Sequence, residues 1–249
     1  MYSYAVINQK GGVGKSTTAL AIGQGLKLRG YSVLLVDLDA QGNMSYSMGA
    51  AGGGYNALGI LQRPETTREE IQITPQGDLI ASTPALVGAD KLLTQTGKEY
   101  RLKEALATIA PLYDYCIIDT PPTLNVLTIN AMTACNSLII PTQADIYSVQ
   151  GIAQLQSNIE AVKKYCNANL TITGILITRF NARSVVRREV ASMLEQIAQK
   201  LNTRVFNVKI RECLALVEAQ LTKQSIFTYA PRSNAKADYN ALINELLEG

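Results

Sequence analysis

A glycine-rich turn between an apolar run and a helical pattern constrains this chain most tightly. Residues 8–17 read NQKGGVGKST. They follow Tyr4-Ala5-Val6-Ile7 and lead into residues 17–28, where apolar positions recur at helical spacing until Gly30 supplies a stop. Strand, glycine loop and helix in that order let backbone N–H groups close round an anion with the positive end of the helix behind them. Gly11, Gly12 and Gly14 let the backbone curl, Lys15 can reach β- and γ-phosphates, and the Ser16 hydroxyl can ligate Mg²⁺. The strict pattern G-x-x-x-x-G-K-[ST] puts Gln9 where its first glycine should stand, and a second lysine, Lys10, sits beside the gap. A surface turn with incidental lysines would not explain all five features arriving in the needed order.

Further apolar runs at residues 32–36, 78–81, 115–118, 137–140 and 172–177 are near-continuous. Strands of that kind are buried on both faces, so they predict a mostly parallel, doubly wound β-sheet flanked by helices, with ligands beyond the carboxyl ends of the strands. Residues 152–164 read as a second helix. Residues 235–247 read as a closing helix with Ala237, Leu242, Ile243, Leu246 and Leu247 on its apolar face. Residues 49–54 (GAAGGG) read as a flexible loop, and residues 62–76 show no clear period. With 249 residues, 47% of them hydrophobic, the chain can bury one sizeable core, and a single α/β domain over residues 1–249 is expected.

Composition removes several chemistries. There is no histidine, so general acid–base work would fall to lysine, carboxylates, hydroxyls, backbone amides or a metal. Cys116, Cys135, Cys166 and Cys213 are too scattered for a zinc site and read as reduced thiols. No basic leader precedes the first apolar run and no apolar stretch approaches the roughly 20 residues of a membrane span, so a cytoplasmic protein is expected. Three aspartates end apolar strands: Asp37 and Asp39 after the second, Asp119 after the run YCII. One such aspartate would read as a cap or turn former. Three at the edge where the glycine loop opens point to metal and water positioning.

At this point the residues resemble the deviant Walker A ATPases of the ParA/MinD type, and most closely the ParA/Soj chromosome- and plasmid-partitioning ATPases. KGGVGKST (residues 10–17), DLDAQGN (37–43) and IIDTPPTLNVLTINAMTACNSLIIPTQ (117–143) carry the resemblance, with PRS (231–233) matching a C-terminal segment; residues 49–70 match least. The resemblance implies a P-loop NTPase fold, ATP and Mg²⁺ as cofactors, and a homodimer that forms with ATP. It implies a nucleotide loop of Lys10, Gly11, Gly12, Val13, Gly14, Lys15, Ser16 and Thr17. Ser16 would ligate Mg²⁺, Asp37 would support the metal shell, and Asp119 would act through a metal-bound water, with Thr120-Pro121-Pro122 as a switch. Asp39 would orient the attacking water. Lys10 matches the signature lysine that crosses the dimer to the partner's ATP, a charge delivered in trans like an arginine finger.

Residues 179–211 hold eight basic residues against two acidic ones, a net +6 in a chain of net +3, which leaves −3 elsewhere. Such clustering suits sequence-independent contact with phosphate backbones. The resemblance likewise implies that the ATP dimer binds nonspecific DNA through this part of the chain and that a ParB-like protein stimulates slow hydrolysis. Arg183 matches a family DNA contact. Residues 211–220 (RECLALVEAQ) depart from the family's PRNVRLSEAP: Ala215 replaces a DNA-contacting arginine, and Arg211 and Cys213 fall on adenine-holding positions. Arg187, Arg188, Lys209 and Arg211 are expected to supply the missing DNA contacts. No helix-turn-helix precedes the first strand, so site-specific operator binding is not expected. The alternative is a MinD-like or cargo-positioning ATPase that does not bind DNA; the tail, residues 240–249, has acids and no lysine or arginine, which disfavours a membrane-lying helix.

Overall fold

The structure, a computed structural model, describes residues 1–52, 54–181 and 185–248, apart from the side chains of residues 146, 147, 149 and 185–188. In chain order the elements are β1 (Tyr2–Val6), α1 (Lys15–Leu28), β2 (Val33–Asp37), α2 (Asn43–Met48), α3 (Ala57–Gln62), β3 (Gln72–Thr74), β4 (Gly77–Ile80), α4 (Ala89–Leu92) and α5 (Arg101–Ile109). There follow β5 (Tyr115–Asp119), α6 (Val126–Ala134), β6 (Ser137–Gln143), α7 (Ile146–Tyr165), β7 (Thr171–Thr178), α8 (Val185–Lys200), α9 (Leu214–Leu221), α10 (Ile226–Tyr229) and α11 (Asn234–Glu248).

The seven strands form one sheet in the order β3-β4-β2-β5-β1-β6-β7. Every neighbouring pair is parallel except the β3–β4 hairpin at the edge. This is the doubly wound sheet that the apolar runs predict. Alternation along each strand feeds two cores: Ala5, Leu34, Ile118 and Ile140 face the layer holding α5, α6 and α7, while Tyr4, Leu35, Ile117 and Ile139 face α1 and α11. Both faces being covered is why these strands read as unbroken apolar runs.

Helix ends follow local chemistry. Past α1, Gly30 sits at φ 90°, and Gly30 N–H and Tyr31 N–H reach back to the carbonyls of Lys27 and Leu26, a glycine stop of the Schellman type. Helix α7 starts six residues before the periodicity suggests, because Asp145 caps it by accepting from Ser148 N at 3.0 Å. On α11, Leu242, Ile243 and Leu246 are buried as expected. Ala237 and Leu247 are exposed, and Ala235, Asp238 and Tyr239 take the inner face instead. The reason is register: Tyr239 reaches under α1, its hydroxyl 3.3 Å from Thr18 Oγ1, which turns Ala237 outward. Among the described residues no helix is long and apolar enough to cross a membrane.

Candidate functional site

Strand β1 lies between β5 and β6, so chain connections diverge on either side of it and leave a crevice at its carboxyl end. The glycine loop occupies that crevice. Gly12 and Gly14 adopt φ 74° and 87°, left-handed values that glycine takes without a Cβ clash. A Cβ on Gly11 or Gly12 would meet nothing within 4 Å, so the loop lies open rather than packed. The loop is nevertheless tethered. Thr178 Oγ1 donates to the carbonyl of buried Val13 at 2.8 Å, Gln143 Nε2 to Gly12 O at 3.0 Å, and Asn8 Nδ2 to Pro141 O at 2.8 Å. Gly14 is the α1 N-cap and offers no side-chain acceptor, which leaves the helix's first N–H groups for a ligand. A cavity of about 510 Å³ opens here, lined by Gly11, Gly12, Lys15, Asp39, Gln41 and Arg179 among others.

The two lysines of the loop are both engaged within the chain. Lys15 is buried and its Nζ donates to Lys10 O at 3.1 Å. Burial lowers its pKa, while the carboxylates of Asp119 and Asp39 oppose that shift. Lys10 Nζ lies 2.6 Å from Asp145 Oδ2 and 3.4 Å from Ser148 Oγ. Partial burial pushes the Asp145 carboxyl up, but the Lys10 ammonium and the Ser148 N–H outweigh it and hold the group below the usual carboxylate range.

Asp37 and Asp119 stand in register on β2 and β5. Asp37 is fully buried, and both its oxygens are taken: Oδ2 by Ser45 N and Oγ at 2.8 and 2.7 Å, Oδ1 by Asp39 N at 3.1 Å. It fastens α2 to the sheet. Burial raises its pKa to about 6, the Ser45 and Asp39 hydrogen bonds hold it down, and the Asp39 carboxylate adds to the rise. Asp119 differs, because neither of its fully buried oxygens has a hydrogen-bond partner among the described residues. Burial and then the Asp37 charge push it well above the usual carboxylate range; the nearby Ser16 hydroxyl and Lys15 ammonium pull the other way. Asp39 lines the cavity, with Oδ1 accepting from Gln41 N at 3.0 Å and its carbonyl from Ser82 Oγ.

An aspartate whose folded pKa exceeds its unfolded value near 4 stabilises least at high pH, since the unfolded state releases its proton first as pH rises. Asp119→Asn is therefore expected to raise the melting temperature in EDTA at pH 7.5. The asparagine amide stays buried in the same place, so only the cost of ionising a buried carboxyl is relieved, and each kcal/mol of it moves a chain of this size by about 2–4 °C. The gain should shrink at pH 4.5. Equal gains at the two pH values would contradict a bare buried carboxyl at position 119.

A second cavity of about 220 Å³ adjoins the loop at Thr17, with Arg179, Arg211, Cys213, Val217 and Tyr239 in its wall. Arg211 lies half-exposed there, its guanidinium held by Asp238 at 2.6–3.2 Å and its N–H by Asp238 Oδ2 at 3.0 Å. Of the other residues expected at DNA, Lys209 Nζ sits 4.8 Å over the Phe180 ring. Arg183 lies outside the described residues. Arg187 and Arg188 fall on α8, with their side chains outside the description. Arg204, part of the same basic segment, donates to Glu245 O at 3.1 Å.

The fold thus gathers Lys15, Ser16 and Asp39 around one opening, with Asp119 fully buried beside them. Lys10 is turned toward Asp145 and Asp37 toward α2. Sequence reasoning missed Gln143, Asp145, Thr178, Arg179 and Gln220, the last donating to Thr17 Oγ1 at 2.9 Å. All but Gln220 stand at or just beyond the carboxyl ends of β6 and β7, so following every strand to its end would have found them. Arg179 carries a further mark, φ 48° in a residue other than glycine.

A family model described as an AAA domain matches residues 1–172. The chain is similar to the sporulation initiation inhibitor protein Soj of Bacillus subtilis, 36% identical over 247 residues that cover 97% of this chain and 96% of Soj. It is also 36% identical over 255 residues to the chromosome partitioning protein ParA of Myxococcus xanthus, covering 98% of this chain and 87% of ParA. Among solved structures it resembles cobyrinic acid a,c-diamide synthase from Mycobacterium smegmatis with bound ADP and magnesium, with a TM-score of 0.84, 30% identity and 100% and 94% of the two chains covered.

Proposed function

The chain belongs to the Soj/ParA family of P-loop partitioning ATPases, and from that premise we propose that it is a Mg²⁺-dependent ATPase that closes into a homodimer around ATP, binds nonspecific DNA in that form and lets go on hydrolysis. A ParB-like partner stimulates that hydrolysis. The observation that carries the reading is a glycine loop with a buried lysine facing a carboxyl, Asp119, that is fully buried and without a hydrogen-bond partner among the described residues.

The residues present fit magnesium and a triphosphate. Among the described residues no group of three or more His, Cys, Asp or Glu could hold a metal ion by itself. That suits Mg²⁺, which keeps waters and takes phosphate oxygens. Ser16 would ligate it and Asp119 would hold one of its waters; bound there, it would neutralise phosphate charge. Lys15 leaves the Lys10 carbonyl for the β- and γ-phosphates. Asp39 keeps one oxygen on Gln41 N and presents the other to a water beside the γ-phosphate. Lys10 reaches the partner's nucleotide and stabilises charge there. Asp37 serves this site through α2, holding the turn that carries Asp39. Without a histidine, basal turnover is slow.

Retention of random-sequence DNA tests the role. Binding should require ATP rather than ADP and weaken by about two orders of magnitude from 50 to 200 mM salt if four phosphates are contacted. Arg183→Glu should weaken it further. Equal retention with ATP and ADP, or none with either, would refute DNA carriage. One observation favours the second reading, a cargo-positioning ATPase that does not touch DNA: Arg211 is ion-paired with Asp238, which offsets one cation of the basic segment.

A further inference from the structure

The signature lysine is not free in the subunit. Its ammonium makes a short ion pair with Asp145 and lies near Ser148, both at the start of α7. Its backbone is fixed as well, by Lys10 N donating to Asn8 Oδ1 at 2.9 Å and by Gln143 gripping the next turn of the loop. Lys10 can therefore be redeployed only through its side-chain torsions, and the Asp145 pair must break for that to happen. Asp145 divides its work between two oxygens. Oδ1 caps α7 by accepting from Ser148 N, and Oδ2 takes Lys10.

We propose that Asp145 is a positioning residue for Lys10, holding the ammonium against the subunit's own α7 and so setting how readily it is delivered to a second copy of the chain. The proposal rests on the reading of Lys10 as the residue used in trans. Lys15 links the device to nucleotide, because it now donates to the Lys10 carbonyl, and phosphates that draw it away remove one of the contacts that hold the Lys10 segment. The pair is a third exposed on each side, 33% and 34%, so it is only partly screened. A partly exposed pair is worth a factor of roughly 1.4–5 in an equilibrium, and two pairs break per dimer, so its loss should tighten the dimer roughly 2- to 30-fold.

Asp145→Asn removes the charge and retains a capping oxygen; Asp145→Ser does the same with a different cap. With a non-hydrolysable ATP analogue and Mg²⁺, sedimentation equilibrium should show both variants dimerising at lower concentration than wild type. Their advantage should shrink between 0.05 and 0.5 M NaCl as the wild-type pair is screened, a trend that mere loosening of α7 would not give. In a Lys10→Ala background, Asp145→Asn should change nothing. Unchanged or weaker dimers in both single variants would overturn the proposal. If Lys10→Ala is impaired while Asp145→Asn fails to tighten, only Asp145's role falls. If Lys10→Ala dimerises and hydrolyses ATP like wild type, the in-trans reading of Lys10 falls and the proposal falls with it.

Discussion

Lys15→Ala is expected to lower ATP hydrolysis at least ~100-fold and to weaken nucleotide binding with it. Lys15 is the cation that the fold buries at the loop, against a desolvation that disfavours its charge, and it is retained there by facing Asp119 and Asp39. Removing one preorganised charge from a closed site typically costs 10²–10³ in rate. Two further consequences follow from its neighbours. Asp119 loses the ammonium that opposes its upward shift, and the Lys10 carbonyl loses its donor. Nucleotide affinity should therefore fall together with turnover. A phosphate-release assay giving a rate within threefold of wild type would remove Lys15 from the site.

Asp39→Ala should reduce hydrolysis by about 10²–10⁴ while leaving ATP bound, because orienting and deprotonating water is typically worth that much and the phosphate-binding groups are untouched. Asp39 also holds its own turn, accepting from Gln41 N. Asp39→Asn keeps that acceptor and loses only the charge. The two variants should be equally slow if the carboxylate acts on water. Recovery of wild-type turnover in the asparagine variant would assign Asp39 to the turn alone.

The fold was largely legible because the sheet is buried on both faces, which writes its strands as unbroken apolar runs. The phosphate loop was legible because strand, glycines, lysine and hydroxyl are contiguous in sequence. What was not legible depends on long-range pairing. Asp37 and Asp119 look equivalent as strand-terminal aspartates, yet Ser45 satisfies one and the other has no hydrogen-bond partner among the described residues. No periodicity reveals that Asp238, on a helix 27 residues away, neutralises Arg211, or that Asp145 claims Lys10 across 135 residues. Helix α2 is six residues, too short to show a period, and depends on Asp37 for its start. Arg179 reads as one more charge of the basic segment until β7 carries it to the rim of the cavity.

ATP is expected to join two copies of this chain, and the molar mass of Asp39→Ala in Mg²⁺ and ATP reads that out. Slow hydrolysis should trap the closed state, so light scattering after size separation should give twice the 27.0 kDa chain mass with ATP and the single-chain mass with ADP. A single-chain mass under both nucleotides, in a variant shown to bind ATP, would rule out an ATP-bridged dimer.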